Sequence, residues 1–362
     1  MIPSEDLARA RLSEILARGS VNLGARADTE RLMLMLTRSC ELRCGYCFVQ
    51  KSESAPVMPL EVARRAIDLL MRSQRSRLEL QIFGGEPTRS WDLLERVLDY
   101  AFAHPRLSRR RLELILTTNG IGLDAERVRA LERWPAMILL SLDGDKSAHR
   151  RFRNAHLMSD DEAYRAVERA VDLLKDSSRQ WFMNAVIPPA AADELVARYQ
   201  WAIARGIPRL QLNYAVGMLW SEAQSESYLS GLEQVLRRHH EDSHGIVLFN
   251  WRSDCEPVML SDDLIVDVDG SVMHDGAIFL ERAFSRLKDS YARGHVTELE
   301  AFDPLRWDLE TIHRVMTTTY PEGSVERGII EHNILLGARV DLMIQALARE
   351  LGRAPSKGGS RA

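Results

Sequence analysis

Six short apolar runs punctuate the first 215 residues of a 362-residue chain, and a helix-patterned segment stands between each run and the next. The runs are RLMLMLT (31–37), LELQIF (78–83), LELILT (112–117), MILLSL (137–142), WFMNAVI (181–187) and LQLNY (210–214). Helix patterns fill 59–73, 90–103, 124–133, 161–175 and 191–205, the last closed by Gly206. Strand and helix in strict alternation make βαβ units, hence an α/β fold with a parallel sheet and right-handed crossovers. Periodicity leaves open whether such a sheet closes into a barrel.

The alternation stops near residue 220. A helix pattern over 222–241 precedes two short strand candidates, GIVLF (245–249) and LIVDV (264–268), the second turned by Asp269-Gly270. From about residue 292 the pattern is mainly helical, with a long stretch from Val325 to Leu351. Ahead of the first strand, Pro3-Ser4-Glu5-Asp6 reads as the cap of an amphipathic helix. The expected division is an N-terminal helix (1–28), an α/β core (29–220), a C-terminal extension (221–352) and a disordered tail (353–362). No apolar run approaches the length of a membrane span, and the N-terminus does not read as a signal peptide. A formal net charge of -4 gives no reason to expect a nucleic-acid or membrane partner.

Three of the four cysteines fall within TRSCELRCGYCFVQK (37–51): Cys40, Cys44 and Cys47. Unevenly placed cysteines are no disulfide framework, and in the reducing cytoplasm expected here a cluster of them binds metal or does chemistry. The triad begins just past the first strand, where the loops of parallel sheets carry active sites. A structural zinc site wants a fourth protein ligand. A [4Fe–4S] cluster on three thiolates leaves one iron open to an exchangeable ligand, which is a catalytic arrangement.

The spacing Cys40-x3-Cys44-x2-Cys47 resembles the signature of the radical S-adenosylmethionine (SAM) superfamily. Three further blocks extend the resemblance. Gly84-Gly85-Glu86-Pro87 resembles that family's GGEP motif, whose glycines approach the SAM ammonium group. Thr118-Asn119-Gly120 resembles the TNG motif near the ribose. Ser141-x-Asp143-Gly144, with His149 and Arg153, resembles a block of the anaerobic sulfatase-maturase and peptide-modifying branch. The resemblance covers roughly 31–215 and implies a partial (β/α)6 barrel with a mainly helical C-terminal extension. It implies one [4Fe–4S] cluster on the triad and SAM held by Tyr46, Gly84, Gly85, Glu86, Asn119, Ser141 and Arg169. Ser141 and Arg169 would hold the SAM carboxylate. Read as isolated residues, Tyr46 is a loop packing residue and Arg169 a helix-surface arginine. Gly85 is expected to border bound methionine directly, so that a β-carbon there would block SAM and spare the cluster.

Relatives in that branch often carry a cysteine-rich extension with auxiliary clusters. Here Cys255, then Leu264 to Asp275 with its Asp-Gly turn, resembles the start of that extension, but the second cysteine position reads Asp275 and no cysteine follows. The extension then survives as a lid, with Cys255 either a buried small hydrophobe or a hydrogen donor whose proton His274 or Asp275 manages. The expected activity is reductive cleavage of SAM to a 5′-deoxyadenosyl radical that abstracts hydrogen from a peptide or protein side chain. Epimerisation, or dehydrogenation or mutation of a small molecule, are the alternatives; a zinc- or cluster-stabilised interaction protein is the non-enzymatic one. An external electron donor such as flavodoxin or ferredoxin is implied.

Overall fold

All six apolar runs form strands in the computed structural model, which describes residues 2–18, 29–51, 56–251 and 259–353. They are β1 (Thr29–Met35), β2 (Arg77–Phe83), β3 (Arg111–Thr118), β4 (Ala136–Ser141), β5 (Trp181–Ile187) and β6 (Arg209–Tyr214). Each crossover holds at least one helix: α2 (Leu60–Leu70), α3 (Trp91–Phe102), α4 (Ala125–Ala130), α5 (Lys146–Phe152) with α6 (Asp160–Asp176), and α7 (Leu195–Arg205). Local chemistry fixes their ends. Ser159 and Glu162 form a reciprocal capping box at the start of α6, and Gly206 ends α7 in the left-handed conformation, φ +70°.

Neighbouring strands from β1 to β6 pair in parallel. The sheet does not close on itself. Beyond β6 lies β7 (Val247–Leu248), and the other edge of β1 pairs in parallel with β8 (Leu264–Val266), Leu32 opposite Leu264. Two antiparallel strands, β9 (Ser271–His274) and β10 (Ala292–His295), complete ten strands. The Asp269-Gly270 turn joins β8 to β9 with Gly270 at φ +93°. The C-terminal extension therefore contributes strands to the sheet of the core.

Strand alternation sorts the side chains. Leu78, Leu80 and Ile82 on β2, with Leu32 and Leu34 on β1, pack in the main core beneath the crossover helices. Each such side chain contributes roughly 1.5–3 kcal/mol on burial. Their alternates, among them Arg31, Gln81, Thr117, Ser141, Asn184 and Asn213, line a cavity on the opposite face.

The helices after residue 220 are α8 (Glu222–Glu241), the short α9 (Gly276–Phe279) and α10 (Arg286–Tyr291), α11 (Leu309–Thr318) and α12 (Val325–Glu350). Buried Asn333 ties α12 to the chain after β6: its Oδ1 accepts from Gly217 N at 3.0 Å and its Nδ2 donates to Met218 O at 2.9 Å. The N-terminal helix α1 (Glu5–Arg18) packs on α12, with Arg11 Nε 2.7 Å from Asp341 Oδ2. Among the described residues no helix is long and apolar enough to cross a membrane. The expected tail lies almost wholly outside the described residues.

Candidate active site

A cavity of about 360 Å³ opens where β1 to β6 end, within the range of small-molecule sites. The cysteine loop, the Gly84-Gly85 turn, Thr118-Asn119 and Ser141 all border it, so four separated sequence motifs share one wall. α12 supplies part of another wall through Gly337, Val340, Asp341 and Ile344.

Cys40 and Cys44 are buried and Cys47 is half-buried, all three as free thiols. Burial pushes the Cys44 thiol up to about 12 and raises Cys40 as well, so a metal would have to displace these protons on binding. Cys40 Sγ accepts from Leu42 N at 3.4 Å and from Asn119 Nδ2 at 3.7 Å. Among the described residues no three His, Cys, Asp or Glu side chains converge on a single ion site. A [4Fe–4S] cluster takes each of three thiolates on a different iron. The donor set fits such a cluster.

The second half of the triad loop is gripped from the C-terminal extension. The Arg282 guanidinium donates to the carbonyls of Cys44, Gly45 and Cys47 at 3.3–3.4 Å. Just before the triad, Arg38 is ion-paired with Asp267 (2.6 Å) and Glu281 (2.7 Å).

The GGEP segment is locked to the backbone of the cysteine loop. Gly84 adopts φ +145°, and Gly85 N donates to Thr37 O at 2.7 Å. A Cβ built on Gly85 would lie 2.1 Å from the carbonyl oxygen of Ser39, so a neighbouring backbone by itself requires the glycine. Glu86 is fully enclosed. Its Oε1 accepts from Thr88 N, Thr88 Oγ1 and Thr118 Oγ1 (2.7–3.1 Å), and its Oε2 from Asn119 N at 2.6 Å. Burial, with the Glu41 charge beside it, raises its pKa to about 7 against the pull of those donors. Glu86 thus pins one motif to the next. Asn119 turns its amide to Glu41 Oε2 (3.2 Å) and Cys40, bracing the cluster loop.

Tyr46 lines the cavity, and its hydroxyl donates to Asp143. Asp143 is 0% exposed and receives a two-pronged ion pair from Arg153, Nε and Nη2 each at 2.9 Å. The Arg153 guanidinium lies 5.4 Å from the centre of the Tyr46 ring. Opposing its burial, that pairing holds the Asp143 carboxyl below its ordinary value. Ser141 borders the cavity and makes no hydrogen bond among the described residues, leaving its hydroxyl for a ligand.

Two expectations are corrected. Arg169 is exposed on α6 and does not border the cavity; Arg153, from the same motif-rich stretch, does, held by its bond to Asp143. His274 is 0% exposed and stacks on Trp307, ring centres 4.7 Å apart, away from the cavity. Burial and the charges of Arg293 and Arg306 lower its pKa to about 4, so it stays neutral. Asp275, one residue beyond the strand end at the N-cap of α9, does border the cavity. Cys255 lies outside the described residues. Lys51, Arg31, Gln81 and Asp341 also border the cavity and carry no motif. Arg31 and Gln81 are polar residues at alternate positions of apolar strands, Lys51 stands four residues after the last cysteine of the triad, and Asp341, within a helix, had no such signal.

Residues 34–201 match the sequence model of the Radical SAM superfamily. The chain is 23% identical over 172 residues to the radical SAM cyclopropyl synthase TigE of Paramaledivibacter caminithermalis, covering 43% of this chain and 35% of that one. It is 32% identical over 190 residues to GTP 3′,8-cyclase 2 of Mycobacterium tuberculosis, 48% and 47% of the two chains. The chain thus spans less than half the length of these curated relatives. In structure it resembles native anSMEcpe, solved with bound AdoMet and the Kp18Cys peptide, at TM-score 0.65 and 17% identity over 84% of each chain. That likeness establishes the partial-barrel fold.

Proposed function

We propose, from the premise that this chain carries a radical SAM domain at residues 34–201, that it is an enzyme acting by hydrogen abstraction on a peptide or protein side chain. The observation that carries this reading is the shared wall: three thiols and an unpartnered Ser141 hydroxyl on one cavity at the strand ends. Cys40, Cys44 and Cys47 would hold a [4Fe–4S] cluster, and Ser141 with the Tyr46–Arg153 pair would border SAM. Bound together there, cluster and SAM supply one-electron cleavage of the sulfonium and a radical that removes hydrogen from substrate.

The chain's own residues do the rest. Glu86 and Asn119 hold the cysteine loop against the third strand. Arg153 keeps Asp143 charged and Tyr46 fixed at the wall. The apolar faces of Met33, Leu280 and Ile344 narrow the cavity and exclude water. Asp275 stands where it can exchange a proton with substrate.

A peptide substrate is supported by the peptide seen in the like-folded anSMEcpe. Epimerisation with Cys255 as hydrogen donor is the second reading, favoured by Asp275 at the cavity wall. Four cysteines leave only one beyond the triad, so electrons would come from an external donor such as flavodoxin or ferredoxin.

The test is anaerobic reconstitution with iron and sulfide. Wild type should bind about four irons and release 5′-deoxyadenosine from SAM under dithionite, and Cys44→Ala should do neither. Full iron and 5′-deoxyadenosine from Cys44→Ala would overturn the reading, as would a tightly bound zinc with no charge-transfer absorption in wild type.

A further inference from the structure

Among the cations at the cavity wall, one stands without a carboxylate. Arg31 is paired with Glu79 at 2.6 Å and Asp263 at 2.8 Å. Arg153 is paired with Asp143. Lys51 forms no ion pair among the described residues, although it is half-buried. Its ammonium reaches back into the cysteine loop and donates to Leu42 O at 2.7 Å; against its burial, the charges of the three thiols raise its pKa. Leu42 N in turn donates to the Cys40 thiol. The chain thus carries a positive charge from four residues beyond the triad into the gap between its first two cysteines.

A cation withdrawn from water needs a counter-charge. The groups around Lys51 that can supply one are the three thiols, and they become anionic on binding metal. The acids nearby, Glu41 and Glu86, are committed to Asn119, Arg89 and the threonines. The site is therefore built so that its counter-ion to the lysine arrives with the cluster.

We propose that Lys51 is the resident counter-charge of the iron–sulfur cluster and sets its reduction potential. Reduction adds one negative charge to a cluster held by thiolates. A fixed positive charge held on the loop between two of them lowers the energy of the reduced state more than that of the oxidised state. The lysine is a positioning and tuning residue: it touches the loop that carries the cluster's ligands. This inference rests on the cluster reading above.

The experiment is an anaerobic redox titration of reconstituted protein, followed by the reduced-cluster electron paramagnetic resonance signal and by visible absorption. Wild type, Lys51→Arg, Lys51→Gln and Lys51→Met are compared at equal iron content. The Gln variant keeps a donor for Leu42 O without the charge. At a fixed applied potential, Gln and Met should lower the reduced-to-oxidised ratio at least about tenfold, which for one electron is about 59 mV, and Arg should restore it. Unchanged midpoints in both neutral variants would overturn the proposal. So would loss of the cluster in both, because Lys51 would then serve assembly and not potential. Absence of any cluster in wild type would be a failure of the cluster reading itself, and it is seen before any variant is measured.

Discussion

Gly85 and Ser39 are in backbone contact: no side chain fits between the α-carbon of the first and the carbonyl oxygen of the second, 2.1 Å from where a Cβ would stand. Ser39 precedes the first cysteine of the triad, so the glycine turn is part of the mould in which the cluster loop is cast. Gly85→Ala should therefore displace that loop, destabilise the fold by at least about 2 kcal/mol, and reduce iron uptake together with SAM binding. Thermal melting and iron content check this. A variant with full iron and wild-type melting would show that the contact relaxes freely.

Glu86 should make stability pH-dependent. Its pKa rises from 4.5 unfolded to about 7 folded, so the folded state favours its protonated form. The stabilisation is complete below about pH 4.5 and is lost as pH rises through 7, by up to about 3 kcal/mol. From pH 5 to 8 the melting temperature of wild type should fall relative to that of Glu86→Gln. Parallel curves would count against it.

Arg169 and Arg153 should separate cleanly. Arg169→Ala, on the exposed face of α6, should leave SAM affinity within about twofold, the scale of a surface change. Arg153→Ala strands the Asp143 carboxylate in the interior and should cost about 3–5 kcal/mol. Arg153→Lys keeps charge without the two-pronged geometry and should fall between. Equilibrium binding and denaturant midpoints give the readout.

His149 and His274 should produce the acid limb of stability. Burial lowers each from 6.5 to about 4, so their contribution is present above pH 6.5 and lost as pH falls toward 4. Each can account for up to about 3 kcal/mol. His274→Phe keeps a ring on Trp307 and should flatten the loss between pH 7 and 5, and adding His149→Phe should flatten it further. Urea midpoints across that range decide it.

The strands, their order and the motifs at their ends were legible because alternation of apolar residues and fixed cysteine spacing are local signals. What escaped was direction and reach. Arg169 and Arg153 lie in one motif-rich stretch, and only the fold decides which one turns inward to Asp143. His274 and Asp275 are adjacent, but the strand ends between them and only Asp275, at the N-cap of the next helix, borders the cavity. Gly85 was read as a close approach to a ligand, and its approach to Ser39 had no local signal because Ser39 lies 46 positions away. Lys51 has no pattern of its own; its position matters through the unpaired charge it carries.

The pairing of β1 with β8 joins residues separated by about 230 positions, as in the contact from Arg31 to Asp263. On a translating ribosome, one edge of the first strand stays bare until that late segment emerges. At 5–20 residues per second the delay is roughly ten to fifty seconds. During it, the cysteine loop hangs from a strand paired on one side only, and its Arg282 clasp has not been made. The cysteine loop therefore takes its folded form only after the chain has been made past Arg282, well over a hundred residues beyond the last strand of the α/β core's first four.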